Sequence, residues 1–161
     1  MVNCVKIAIL YDSKYGNTKQ VAEFLAEKMQ AGGYEVRLFR TTETKPADLL
    51  AFQPEAILVG SPTHMHKPAR TLGQYIKKLG KLGLQSIIQK AAVFNCYTID
   101  DVCQTIQDQI SDAFPQIKIC EKSLPVDRKL VDNWKEVVLP NSWKEDASNF
   151  LAAFLNFLKS K

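Results

Sequence analysis

The 161-residue chain has no long hydrophobic run, no cysteine motif and no block of like charge. Each absence removes a class of function. No apolar stretch approaches the roughly 20 residues that a membrane-crossing helix needs. Val5 to Leu10 is too short for a signal-peptide core and is interrupted by Lys6, so it reads as a strand. A soluble cytoplasmic protein is the expectation. The four cysteines, Cys4, Cys96, Cys103 and Cys120, form no C-x-x-C pair, and the two histidines, His64 and His66, lie far from them in sequence. That spacing argues against a structural zinc site and fits free thiols in a reducing compartment. Cys96 and Cys103 are the one pair placed to act as a redox switch, since they flank an expected loop and helix start.

Charge is equally unspecific. The net charge is +4, from lysines scattered along the chain. Neither a basic stripe nor a reading motif for nucleic acid is present. A solvated basic surface accounts for the charge; an acidic partner or anionic ligand is the other reading. Two nucleotide fingerprints are missing as well, G-x-x-x-x-G-K-[ST] and G-x-G-x-x-G. Hydrophobic residues at 46% and charged residues at 24% are ordinary globular values, and the length suits one domain covering 1–161.

What is present is an alternation of strands and helices, the pattern of a parallel α/β sheet. Val5 to Tyr11 is an apolar run suited to a strand buried on both faces. Val21, Ala22, Phe24, Leu25 and Met29 recur at helical spacing over Asn17 to Met29, and Gly32-Gly33 ends that helix. Strands follow at Tyr34 to Phe39, Ala56 to Val59, Ala91 to Phe94 and Ile117 to Cys120. Helices are expected at Ala47 to Phe52 after Pro46, Ala69 to Leu79 closed by Gly80, Asp101 to Phe114 stopped by Pro115, and Ser148 to Leu158. Five strands with right-handed crossovers make a three-layer α/β/α sandwich. Glu121 to Trp143 is too long for a simple connection; carrying Pro125, Pro140, Trp134 and Trp143, it is expected to be an ordered excursion.

Ligands of open parallel sheets bind beyond the carboxyl ends of the strands. The first strand ends in Asp12-Ser13-Lys14-Tyr15-Gly16-Asn17-Thr18 and runs directly into a helix. Ser13 and Thr18 offer hydroxyls, Gly16 permits close backbone approach, and the helix start presents unpaired N–H groups at its positive end. That is anion-binding chemistry. The same residues also read as a polar turn with Asn17 or Ser13 as N-cap. The third strand ends in Gly60-Ser61-Pro62-Thr63-His64-Met65-His66, and the fourth in Asn95-Cys96-Tyr97-Thr98-Ile99-Asp100. With the first strand central, these loops converge on one edge, where Tyr97, His64 and Met65 are suited to flank a flat ring. Either histidine is placed to titrate near neutral pH.

In these segments the chain resembles the flavodoxin family. Ser13-Lys14-Tyr15-Gly16-Asn17-Thr18 is similar to the family's [ST]-x-[TY]-G-x-[ST] phosphate loop, and Gly60-Ser61-Pro62-Thr63 to its second flavin loop. Asn95 to Asp100 sits where the third flavin loop belongs, and Trp143-Lys144-Glu145 resembles the approach to the last helix. The resemblance implies strand order 2-1-3-4-5 with FMN at the switch point. It places Ser13, Lys14, Tyr15, Gly16, Asn17 and Thr18 at the phosphate. It places Pro62, Thr63, His64, Met65 and His66, with Asn95, Cys96, Tyr97, Thr98 and Asp100, at the isoalloxazine.

Two features differ from the acidic electron carriers of that family: the third loop is not rich in glycine and acid, and the chain is basic. A bound flavin supplies the redox chemistry while the protein sets its potential. Lys67, Arg70 and either histidine are expected near the ring. A cation about 7 Å away at an effective dielectric of about 20 is worth roughly 2 kcal/mol, or about 100 mV. A less negative potential than in acidic relatives is therefore expected. The implied function is electron transfer between redox partners or a small donor and acceptor, by a monomer or homodimer. Two alternatives are an FMN-dependent NAD(P)H:quinone-type oxidoreductase and a flavin-free interaction scaffold of the same fold.

Overall fold

The structure, a computed structural model, describes residues 4–83, 87–131 and 136–160. The first strand, β1 (Lys6–Tyr11), has residues Ile7 to Leu10 wholly buried between two helical layers. Such burial on both faces is what a continuous apolar run encodes. β1 pairs in parallel with β2 (Glu35–Arg40) on one side and β3 (Ala56–His64) on the other. β3 pairs with β5 (Lys90–Tyr97), and β5 with β6 (Lys118–Ile119), giving the path β2-β1-β3-β5-β6. This is the expected order 2-1-3-4-5, with the short strand β4 (Lys67–Pro68) intercalated in the numbering.

Helices α1 (Asn17–Ala31) and α5 (Trp143–Lys159) cover one face. Their side chains Val21, Leu25, Met29, Phe150 and Phe154 pack with Ile7, Ile9 and Phe94. Helices α2 (Pro46–Phe52), α3 (Arg70–Lys81) and α4 (Cys103–Ala113) cover the other. There Leu49, Leu72, Ile76 and Ile106 meet Ala8, Leu10, Val59 and Val93. Three layers result. No helix of the described residues is long and apolar enough to cross a membrane.

Several boundaries differ from the sequence reading, each for a physical reason. The third strand does not stop at Gly60-Ser61-Pro62 but runs to His64, then folds back through Met65 and His66 into β4. Pro62 is tolerated because strand alternation points its nitrogen, like the Gly60 carbonyl, toward β1, which has already ended at Tyr11. The fourth strand likewise extends from Ala91–Phe94 to Lys90–Tyr97, since Asn95 and Cys96 stay in register with Ser61 and Pro62.

The fifth strand is split. β6 pairs with the start of β5, and β7 (Leu124–Asp127) pairs with its end from Phe94 to Tyr97. Part of the expected ordered excursion thus completes the sheet. The rest forms the antiparallel pair β8 (Lys129–Val131) and β9 (Glu136–Val138), while Trp134 lies outside the described residues. Gly80 does not terminate a helix: it lies within α3, where a Cβ would come 2.8 Å from the Ala113 carbonyl of α4. It is glycine so that two helices can touch. The last helix begins at Trp143 rather than Ser148, with Trp143 set edge-on to Phe24 of α1 at 5.1 Å.

Candidate functional site

The carboxyl ends of β1, β3 and β5 lie side by side, so the three loops singled out from sequence share one edge. In the first loop, Gly16 is the N-cap of α1 at φ 91°, a conformation only glycine adopts without strain. Neither Asn17 nor Ser13 is the N-cap residue. Ser13 works from further back, its hydroxyl accepting from the Gly16 and Lys19 amides at 3.1 and 3.2 Å. The amides of Asn17 and Thr18, at the positive end of α1, find no acceptor among the described residues. The Thr18 hydroxyl is 1% exposed and without a hydrogen-bond partner, although it neighbours the Cys96 thiol closely enough to influence it. Lys14 lies over the Tyr15 ring, 5.3 Å from its centroid, and both are exposed.

The loop is braced from three directions. Arg40, at the end of β2, donates to the Ser13 carbonyl at 2.6 Å. Asp12 accepts from the Ser13 amide and from the Thr71 hydroxyl of α3, each at 2.9 Å. The Asn17 side chain donates to the Val137 carbonyl at 3.2 Å, fastening the β8–β9 ribbon to the loop. Sequence reasoning missed Arg40. Its signal lay in the parallel pairing that sets Arg40 beside Tyr11.

The second and third loops are one hydrogen-bonded unit. Asn95 is wholly buried; its amide nitrogen donates to the Ser61 carbonyl at 2.8 Å and the Thr63 hydroxyl at 3.1 Å. Its oxygen accepts from the Val102 amide at 2.9 Å. Thr63 in turn donates to the Asp100 carbonyl at 2.7 Å, and the His66 Nδ1 meets the Asp100 carboxylate. Met65 and His66 form the turn between β3 and β4 with φ of 49° and 66°. Two consecutive non-glycine residues in the left-handed region store strain, a feature concentrated at ligand clamps.

Placement among the candidates is uneven. Tyr15 (64% exposed), Met65 (89%) and Ile99 (78%) present large apolar surface, one from each loop. Tyr97, Thr98 and Asp100 are half-buried, whereas Asn95, Cys96 and Pro62 lie beneath the surface. Burial, with Lys14 and Arg128 nearby, pushes His64 below its ordinary value, so it is neutral at pH 7 and adds no cation. Cys96 packs among the residues under α1 and α5, Cys103 among those under α3 and α4. Burial raises both thiols, Cys96 to about 11. Both cysteines are free and buried.

One functional candidate has no counterpart in the sequence reading. Arg128, just after β7, is 7% exposed, and its Nε has no hydrogen-bond partner. Among the described residues, unpartnered donors (the Asn17 and Thr18 amides, the Thr18 hydroxyl and the Arg128 Nε) therefore gather around one end of α1. The donor set fits a phosphate.

Comparison with known proteins agrees with this geometry. Residues 8–121 match a family model described as a flavodoxin domain. A flavodoxin of Aquifex aeolicus is 41% identical over 61 residues, covering 37% of this chain and 32% of its own. An NAD(P)H dehydrogenase (quinone) of Archaeoglobus fulgidus is 27% identical over 103 residues, covering 50% of this chain and 54% of its own. The chain thus spans a third to about half the length of these relatives. A flavodoxin from Pseudomonas aeruginosa, solved as a cysteine-to-serine mutant, superposes with TM-score 0.74 at 21% identity, over 97% of this chain and 100% of that one.

Proposed function

The chain belongs to the flavodoxin domain family, whose cofactor is FMN, and from that premise we propose that it is an electron carrier rather than a substrate-specific enzyme. The observation behind this reading is the exposed apolar triad of Tyr15, Met65 and Ile99, one residue on each loop of the edge that holds the anion-binding donors. Exposed large side chains gathered at one place mark a contact surface. A flat amphipathic cofactor and a docking redox protein both need such a surface.

In this reading, one domain covering 1–161 binds FMN at its phosphate through Ser13, Lys14, Tyr15, Gly16, Asn17 and Thr18. The segments Pro62 to His66 and Asn95 to Asp100 flank the ring, with Asn95 and Cys96 acting from beneath by fixing the loop backbone. FMN supplies the redox chemistry when bound, and the chain positions it and sets its potential. Cations at Lys14, Lys67, Arg70 and Arg128 shift that potential upward. The partners are redox proteins or a small donor and acceptor, the setting is cytoplasmic, and the assembly is a monomer or homodimer.

A second reading, an FMN-dependent NAD(P)H:quinone-type oxidoreductase, is favoured by the Archaeoglobus relative. Purified protein should be yellow, release FMN on denaturation and fail to oxidise NADPH by itself. Direct NADPH oxidation with quinone reduction would instead establish the enzyme. An apoprotein that takes up no FMN at micromolar concentration would leave only the flavin-free scaffold. Potentiometric titration should give a less negative potential than in acidic relatives; an equally low value would refute the charge argument.

A further inference from the structure

Arg128 is the one buried charged residue among the described residues, and its position follows from the strand that precedes it. Along β7, Leu124 and Val126 point into the core under α1 and α5, and alternation sends Arg128 to the same face. Its amide donates to the Tyr97 carbonyl at 2.6 Å, continuing the ladder one residue past the Asp127–Tyr97 pair. The guanidinium is thereby carried to the carboxyl edge of the sheet, on the side where α1 begins.

Among the described residues, the neighbours of that guanidinium hold no anion. The groups that act on it most are the Cys96 thiol and the Tyr15 phenol, and burial depresses its own ionisation. Among the described residues no carboxylate forms an ion pair with it. A buried cation without a counter-charge is costly, and removing one partner of a buried pair ordinarily destabilises a protein. Beside it, the buried Thr18 hydroxyl has only the Cys96 thiol, a weak hydrogen-bonding group, as a neighbouring partner. A cation, a hydroxyl and two free amides at a helix start thus share a single unmet requirement, a dianionic oxygen cluster.

We propose that Arg128 is the charge partner of the FMN phosphate and the residue by which this chain selects a phosphorylated flavin over riboflavin. The inference rests on the FMN reading above. It differs from the sequence-derived site in drawing the decisive cation from the segment after β7, far along the chain from the loop Ser13 to Thr18. Arginine suits the role because its planar fork matches phosphate oxygens in pairs, whereas lysine offers a point charge.

The experiment uses the full chain stripped of flavin, with R128Q and R128K beside wild type. Binding of FMN and of riboflavin is followed by quenching of flavin fluorescence at low and high salt, and apoprotein stability by thermal unfolding. R128Q should weaken FMN binding at least tenfold and change riboflavin binding less than twofold. Its FMN affinity should also depend less on salt, and R128K should recover part of the loss. The R128Q apoprotein should melt no lower than wild type, because an uncompensated buried charge has been removed. Equal loss for FMN and riboflavin, unchanged FMN binding, or tighter FMN binding would each overturn the proposal. Wild-type protein that binds neither flavin would overturn the cofactor reading and this inference with it.

Discussion

Replacing Asn95 by alanine tests whether the second and third loops are held by one buried side chain. Asn95 is 0% exposed and bonds to Ser61, Thr63 and Val102 at 2.8, 3.1 and 2.9 Å. The substitution strands the Val102 amide in a buried site, while the Ser61 carbonyl keeps the ladder bond that the Pro62–Cys96 pairing implies and Thr63 keeps its bond to the Asp100 carbonyl. Each stranded buried group costs about 1–3 kcal/mol. The loss is then about 1–3 kcal/mol, against a total stability of about 5–15 kcal/mol for a domain. With an m value of about 2 kcal/mol per molar, a loss near the middle of that range moves the urea midpoint by about 1 M. The assay is urea unfolding of the apoprotein, followed by FMN titration under conditions where the variant is folded. FMN affinity should fall as well, because the loops flanking the ring lose their common anchor. Thr63→Val, which removes one hydroxyl from the same network, should cost less, about 1–2 kcal/mol. A loss below about 1 kcal/mol for Asn95→Ala, or full FMN affinity in a destabilised variant, would refute the reasoning.

Two further predictions concern the strands beneath the loops and their pH response. Gly60→Ala would place a Cβ 2.1 Å from the ring of the fully buried Phe94, so overpacking should cost about 1–3 kcal/mol. Pairing it with Phe94→Leu should restore part of that loss in a double-mutant cycle read by urea unfolding. His64 is held below its ordinary value by burial and by Lys14. Below about pH 6.5 the unfolded chain takes up a proton there that the folded chain resists. Apoprotein stability should therefore fall as pH drops through that window, and His64→Gln should flatten the slope; an unchanged slope would count against the assignment.

The apolar runs at Ile7 to Leu10 and Ala91 to Phe94 and the helical spacing from Val21 to Met29 settled the order of elements, because burial pattern is a local property of sequence. The loop Ser13 to Thr18 was legible for the same reason: a glycine between hydroxyl residues, followed at once by a helix, has few conformations open to it. Pairing was not legible. The extension of β3 through Pro62, and the filling of the fifth sheet position by β7, depend on which strand lies alongside. A one-dimensional pattern does not carry that information. Gly80 looked like a helix stop and proved to be a helix contact, since only the packing of α3 on α4 distinguishes the two.

The site divides in the same way. Sequence determined the chemistry of the phosphate loop, and with it the expectation of an anion at the start of α1. Tertiary structure decided that Asn95 is a buried tie, that Arg40 braces the loop from β2, and that Arg128 brings a buried charge to the same place. Hydrogen bonds and charges act through space over a few ångströms. The residues they join here are drawn together by strand pairing from distant parts of the chain.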